Sequence, residues 1–291
     1  MKTRLALGAL TAVLLTACGG DATPTPPPQA SAAAPSTSVS TGASQGGGGA
    51  VIVTQPPASL HLDPYYMKYL DASGIPVVGN IWVSDTAMFA MKRIVDVMVQ
   101  KDPWTRSQLA LHLKRVLIIP RADGMTSLPE YRTLDITNPL PNGETWNQRA
   151  QGLGWTAAIP YASCSEANLL HSGAPQDRYG AESICIHEFA HAVWDAGVVY
   201  RDSAAQGRLN AAFNAAKAGY MHNSTTYAAV NVSEYWAEGV QAWFNAAACQ
   251  VANTLTCTNL ALYQTDPALW NEIGHWFPAP AEVSPAIYVH L

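Results

Sequence analysis

Apolar residues recur at helical spacing in several stretches of the chain and predict a domain whose second half is mainly helical. Most of these stretches end at a glycine or run into a proline, which are helix-stop signals. The predicted helices span 86–100, 181–196, 203–218, 233–248 and 267–277. Two short apolar runs, "VLIIP" at 116–120 and "WTAAIPY" at 155–161, predict strands instead, and Pro160 favours a sheet edge for the second.

The order of these elements, strands first and helices after, predicts an α+β fold. In this arrangement a small mixed sheet lies over the helix predicted at 181–196, and the C-terminal half of the domain is helical. Between the two predicted strands the chain is rich in turn-forming residues, so we expect a long loop or a small subdomain there.

The N-terminus has the pattern of an export signal rather than of a folded element. Lys2 and Arg4 precede an apolar run, 5–15, that is too short to span a bilayer. The run ends in small residues before Cys18, which resembles the lipobox of bacterial lipoproteins. We therefore predict a cleaved signal over 1–18, with Cys18 as the lipidated residue.

Composition divides the remaining chain into a tether and one domain. Residues 19–57 are rich in Pro, Ser, Thr, Ala and Gly and have almost no charge, so they predict a disordered tether. Residues 58–291 contain every tryptophan and tyrosine and predict a single domain. The net charge of −5 provides no basic surface, and nucleic acid is not an expected partner.

Four cysteines remain once Cys18 is set aside, an even number in a chain with an export signal. Three pairings are possible. We favour Cys249 with Cys257, across a short loop, and Cys164 with Cys185. These cysteines lack the C-x-x-C spacing that is typical of a zinc site.

The motif "HEFAH" at 187–191 carries the clearest chemistry in the sequence. Histidines four residues apart project from one face of a helix, which is the arrangement that two ligands of one Zn²⁺ need. Glu188 is rotated beside them, so it can act as a general base toward a water molecule at the open position of the metal. The helix is apolar on nearly all sides, so it is predicted to be buried, and buried histidines beside a glutamate need a compensating partner.

A catalytic zinc ion needs a third protein ligand from another buried element. The predicted helix 233–248 carries Glu234 and Glu238 one turn apart among aromatic residues, where carboxylates are costly unless they are paired. Glu234 is the candidate third ligand, and Glu238 the candidate acceptor that orients a histidine or joins the two helices. The reverse assignment stays open.

"HEFAH" followed by "EYWAE" at 234–238 resembles the gluzincin metallopeptidases related to the catalytic domain of anthrax lethal factor and to the Pro-Pro endopeptidases. The resemblance covers chiefly residues 181–247 and implies a zincin-like domain with His187, His191 and Glu234 as zinc ligands. It also implies that Tyr227, seven residues before Glu234, assists catalysis by donating a hydrogen bond to the developing oxyanion.

These features predict a zinc-dependent endopeptidase that is held outside a bacterial cell by its lipid anchor and cleaves a peptide or protein substrate. We expect one Zn²⁺ as cofactor, membrane contact through the anchor alone, and a monomer. Two other functions stay open: a zinc-binding envelope lipoprotein without activity, and a hydrolase of a non-peptide amide such as cell-wall material.

Overall fold

The computed structural model describes residues 51–171, 176–249, 256–283 and 287. Cys18 and the predicted signal lie outside these residues. The five strands are β1 (Lys68–Ala72), β2 (Ile75–Gly79), β3 (Arg115–Ile119), β4 (Gly152–Leu153) and β5 (Tyr161–Ser165). The helices are α1 (Asp85–Met98), α2 (Pro103–His112), α3 (Leu134–Thr137), α4 (Trp146–Arg149), α5 (Glu166–Leu169), α6 (Ile184–Val193), α7 (Val199–Arg201), α8 (Ala205–Ala218), α9 (Val232–Trp243), α10 (Asn259–Thr265) and α11 (Pro267–Trp276).

The strands form one mixed sheet in the order β1-β2-β3-β5-β4. The three central strands, β2, β3 and β5, are parallel, and the two edge strands pair antiparallel with their neighbours. With its helical C-terminal half, the chain therefore has the α+β architecture that its sequence predicts.

Alternating side chains of β3 divide the core between the two faces of the sheet. Val116 and Ile118 face the large core, which the long helices share. Leu117 and Ile119 face a smaller core that is built from residues of the 120–155 connection, including Tyr131 and other buried side chains of that segment. The turn-rich segment is therefore a small cover on the second face of the sheet.

Helix α6, which carries the "HEFAH" motif, lies in the middle of the larger core with all ten of its residues buried. Ser183 caps its first turn by accepting a hydrogen bond from the Ile186 N–H. Its last turn is joined to α9, because the Trp236 indole donates to the Ala190 carbonyl oxygen at 2.9 Å. A π-helix, Trp194–Val198, follows directly and is buried against α2.

Two disulfides join the pairs that we favoured from the sequence. Cys164 on β5 is bonded to Cys185 in the first turn of α6, and Cys249 is bonded to Cys257. The first bond ties the sheet to the motif helix two residues before His187. Two disulfides also fit a location outside the cytoplasm.

The strand predicted over 155–161 is wrong. Thr156 and Ile159 exchange backbone hydrogen bonds at 3.0 and 3.1 Å, which closes a turn, and the Trp155 indole donates to the His112 carbonyl oxygen. Backbone groups that hydrogen-bond to each other within a turn cannot pair with a neighbouring strand of the sheet. The nearby strands are β4, which ends at Leu153 and forms the sheet edge, and β5, which begins at Tyr161.

The predicted helices are present, with different ends. The segment 181–196 begins as a helix only at Ile184 and changes to a π-helix at Trp194, and the segment 233–248 ends at Trp243. Helix α2 and the β1–β2 hairpin were not predicted. Their apolar periodicity is weak, and α2 is marked mainly by Asp102 as its cap and Pro103 at its start.

Ordered chain extends before the domain boundary predicted at residue 58. Thr54 exchanges two backbone hydrogen bonds with Tyr69, at 2.8 and 3.1 Å, and Val53 packs against the larger core. The last residues of the predicted tether therefore contact the domain. Within the described residues, no helix has the length and apolar character to cross a bilayer.

Candidate metal centre

Helix α6 brings the two motif histidines together on one buried face. The Nε2 atoms of His187 and His191 lie 3.2 Å apart, and both residues are about 3% exposed. Their spacing of four residues is close to one helical turn, so the rings are directed at the same point beside the helix. The two nitrogen atoms form one side of a possible metal site.

Helix α9 supplies a third donor atom at this point. Oε2 of Glu234, which is fully buried, lies 3.0 Å from His187 Nε2 and 3.4 Å from His191 Nε2. Asn231 caps α9 by accepting from the Glu234 N–H at 2.9 Å. The cap places Glu234 in the first turn of α9, and from there its carboxylate faces the two histidines.

The three donor atoms have the spacing that a tetrahedral zinc site needs. Zinc binds nitrogen and oxygen at about 2.0–2.1 Å, so two donors at the tetrahedral angle lie about 3.3 Å apart. The observed separations are 3.0, 3.2 and 3.4 Å. His187, His191 and Glu234 form the one group of potential metal ligands that the described residues contain. Two histidines and a carboxylate also match the ligand chemistry of zinc.

Hydrogen bonds on the far side of each ring hold the Nε2 atoms toward the centre. His187 Nδ1 donates to Oε1 of Gln241 at 3.0 Å, and His191 Nδ1 lies 3.0 Å from Oγ of Ser233. With Nδ1 protonated, a neutral histidine presents the lone pair of Nε2 to a metal. Neither Gln241 nor Ser233 is predicted from the sequence as a partner of the histidines. The usable signal for Gln241 is its position seven residues after Glu234, on the same face of an apolar helix.

The charges around the histidines favour a cation at this place. Burial alone would lower the pKa of His187, but the hydrogen bond to Glu234 and the charges of neighbouring glutamates raise it to about 10. Burial opposes ionisation of Glu234, but the two histidines outweigh it and lower its pKa. Without a metal, a proton on His187 therefore balances the carboxylate. A divalent ion would take the place of that proton.

Glu188 lies beside the centre and against strand β4. Its side chain is buried, and a Cβ atom added to Gly152 would lie 2.8 Å from Glu188 Cγ. Burial raises the pKa of the Glu188 carboxyl, while the charges of the two histidines and the backbone N–H of Gly154 oppose this rise. A carboxylate with a raised pKa is suited to accept a proton and then to pass it on.

Tyr227 approaches the centre from the 3₁₀ turn Tyr227–Ala229, just before α9. Its ring centroid lies 6.0 Å from that of His187. Its hydroxyl is buried and faces Glu234, but it makes no hydrogen bond of normal geometry within the residues that the structure describes. Burial, together with the negative charges of Glu234 and Glu188, raises the pKa of Tyr227, so its phenol stays neutral and keeps its proton.

Glu238 does not accept the hydrogen bond that we predicted for it. Its Oε1 lies 3.7 Å from His187 Nδ1, beyond hydrogen-bonding range, and Gln241 occupies the nearer position one turn further along α9. Burial and the neighbouring carboxylate of Glu182 raise the pKa of Glu238 to about 8. The contact at 3.7 Å still joins α9 to α6, which is the second role predicted for Glu238, while the hydrogen bond that orients His187 comes from Gln241.

Comparisons with known proteins find a distant structural likeness only. No family model matches the chain, and no curated protein matches it. Among solved structures, the chain is similar to the Pro-Pro endopeptidase PPEP-2 from Paenibacillus alvei, with a TM-score of 0.46 and 18% sequence identity. The match covers 69% of this chain and 97% of that one. A likeness this distant does not establish a reaction, so the evidence for chemistry is the arrangement of side chains.

Proposed function

We propose that the chain is a zinc-dependent endopeptidase. The observation that carries the proposal is the triangle of donor atoms from His187, His191 and Glu234, with sides of 3.0–3.4 Å, beside the buried carboxyl of Glu188. Three protein ligands leave a fourth position for a water molecule or a substrate, which is the arrangement of a catalytic rather than a structural zinc site.

The histidines and Glu234 would hold the zinc ion, which when bound supplies Lewis-acid chemistry and makes water more acidic. Glu188 accepts the proton of the attacking water. Its buried position, with a raised pKa, lets it keep that proton and deliver it to the amine of the departing peptide half.

Tyr227 fits the part of an oxyanion donor. Its phenol remains neutral, and its buried hydroxyl, which faces Glu234 without a hydrogen bond of normal geometry among the described residues, has its proton available for a bound substrate. Its hydrogen bond would strengthen as negative charge develops on the carbonyl oxygen.

A peptide substrate would bind in extended form along the edge of the sheet at β4. No strand among the described residues covers this edge, and β4 passes directly over Glu188. Pairing with an open edge would place the scissile bond near the base without a deep pocket. The sequence predicts a sheet edge at 155–161, whereas the edge strand beside Glu188 is β4.

The cellular location that we propose is the outside of a bacterial cell, on a lipid anchor at Cys18. The pattern of residues 1–18 supports this location, and the two disulfides are compatible with it. We further propose that the protein acts as a monomer, without nucleic acid.

The test is cleavage of a diverse peptide library by the purified full-length protein in detergent, read by mass spectrometry. Glu188→Gln is the matched variant, because it keeps the size of the side chain and removes the base. We expect cleavage by the wild type and none by the variant, with one equivalent of zinc in both. If both proteins bind zinc and neither cleaves any peptide, the endopeptidase proposal fails, and a binding protein or a non-peptide amidase takes its place.

A further inference from the structure

Gln241 is a fully buried polar residue on α9, and nothing in the proposed reaction uses it. It follows Glu234 by seven residues, so both side chains project from one stripe of the helix toward α6. We propose that Gln241 is a positioning residue of the metal centre, which sets the orientation and the protonated nitrogen of His187. This inference rests on the metal site of the proposed function and extends it to a residue outside the ligands and the base.

The contacts of the Gln241 amide fix which end faces the histidine. Its Nε2 group donates to the carbonyl oxygen of Ser183 at 3.0 Å and lies 3.4 Å from Oε2 of Glu182. The Ser183 carbonyl oxygen can only accept, so the group of the amide that faces it must be the NH₂. The oxygen of the amide must therefore face His187, where it accepts from Nδ1 at 3.0 Å. With Nδ1 as the donor, Nε2 is left to bind the metal.

A glutamine side chain can pair with the hydrogen-bonding groups on both sides of this position, and a carboxylate cannot. The side toward Ser183 and Glu182 offers two acceptors, so it needs a donor, whereas the side toward His187 needs an acceptor. An amide carries both groups at once. It is also uncharged, so it orients His187 without placing a third carboxyl group beside Glu182 and Glu238 on this side of the centre.

A purely structural role for Gln241 is the competing explanation, because it also ties α9 to the start of α6. Asn168 makes a comparable buried connection at the same place. Its Nδ2 donates to the Glu182 carbonyl oxygen at 2.8 Å, and its Oδ1 accepts from the Ile184 N–H at 2.8 Å. Asn168 makes no hydrogen bond to His187 in the described structure. It is therefore a matched control for fastening the helix without orienting the ligand.

The experiment compares Gln241→Met and Asn168→Leu, which keep side-chain size and remove the amide, with Gln241→Glu, which restores an acceptor for His187. Zinc affinity is measured by competition with a chromophoric chelator, and stability by urea unfolding of the zinc-free proteins. We expect Gln241→Met to bind zinc about 10–100-fold more weakly. Asn168→Leu is expected to lose stability but not zinc affinity. Gln241→Glu keeps the acceptor for His187 but loses the donor to Ser183, so we expect it to bind zinc more tightly than Gln241→Met and to be less stable than the wild type.

Two results would overturn the inference: zinc affinity unchanged in Gln241→Met, or an equal loss of affinity in Asn168→Leu. If Gln241→Met does not fold, long-range ¹H–¹⁵N spectra of the zinc-loaded wild type decide between the positioning role and the purely structural role. We expect a protonated Nδ1 and a metal-bound Nε2 on His187, and the opposite assignment refutes the proposal. A wild type that binds zinc but cleaves nothing contradicts only the endopeptidase proposal, whereas one that binds no zinc contradicts both.

Discussion

Gly154 directly follows strand β4 and lies against His191, the candidate ligand, and replacing this glycine with alanine tests the close approach. A Cβ atom at Gly154 would lie 2.7 Å from His191 Cβ and 3.1 Å from both Cγ and Cδ2. Carbon atoms in contact are separated by about 3.5–4.0 Å, so the new methyl group overlaps the histidine by about 1 Å. His191 Cβ is fixed to the backbone of α6 and cannot rotate away. Either β4 must move or the imidazole must leave its place.

The expected loss of unfolding free energy follows from this overlap. Overfilling a packed core destabilises a protein by about 1–3 kcal/mol. Gly207 in α8 is the matched control, because a Cβ atom there has no neighbour within 4 Å. Gly207→Ala should stabilise the helix by about 0.5–1 kcal/mol. Since both substitutions restrict the unfolded chain alike, the two variants should differ by about 1.5–4 kcal/mol in unfolding free energy.

The assay is urea unfolding of both variants with zinc and with excess chelator, together with zinc affinity. We expect Gly154→Ala to be less stable than the wild type and to bind zinc more weakly, because His191 is displaced. Gly207→Ala should keep the wild-type zinc affinity. A Gly154→Ala protein as stable as Gly207→Ala, with unchanged zinc affinity, would refute the packing of β4 on the metal centre.

Three further predictions concern the centre and its supports. Tyr227→Phe should lower kcat about 100- to 1,000-fold with little change in KM or stability, since its hydroxyl makes no hydrogen bond of normal geometry within the described residues. Replacing Cys164 and Cys185 with alanine should cost about 3 kcal/mol from loop entropy and weaken zinc binding. The same change at Cys249 and Cys257 should cost about 2.5 kcal/mol and leave zinc binding unchanged. Removing zinc with a chelator should lower Tm by about 8–16 °C from a starting free zinc concentration of 1,000 times Kd.

Each of these predictions has an outcome that contradicts it. For Tyr227 the control is Tyr131→Phe, which also removes a buried hydroxyl but in the smaller core, and equal loss of kcat in the two variants would argue against an oxyanion donor. For the disulfides, equal zinc affinity in both double variants would mean that the bond at Cys185 does not support His187. For the chelator, a Tm shift that persists in Glu234→Gln would place the bound zinc elsewhere.

The strongest sequence signals are those in which one local pattern determines the outcome. The spacing of His187 and His191 places both rings on one helical face wherever that helix packs. Glu234 could be proposed because a carboxylate within an aromatic helix needs a partner. The structure brings these three side chains together, as the two patterns predict.

Other features depend on contacts that are distant in sequence, and local patterns do not contain them. The apolar run at 155–161 has the composition of a strand, but its backbone groups are used by the turn between Thr156 and Ile159. Strand β4 has only two residues, and its position depends on Gly152 meeting Glu188 across the fold. Neither outcome follows from periodicity.

The choice between Glu238 and Gln241 shows the same limit at the level of one turn. Both residues lie on the face of α9 that is directed at α6, so helical spacing selects them equally. The relative position of the two helices decides between them, and it puts Gln241 0.7 Å closer to His187 Nδ1, at 3.0 Å against 3.7 Å. That position depends on the packing of the whole core.

The most direct test of the metal centre is anomalous diffraction at the zinc edge, from crystals of the protein loaded with one equivalent of zinc. We predict a single peak about 2.0–2.1 Å from Nε2 of His187, Nε2 of His191 and a carboxylate oxygen of Glu234. A zinc ion bound at other residues, or no zinc bound, would contradict the centre and the function proposed from it.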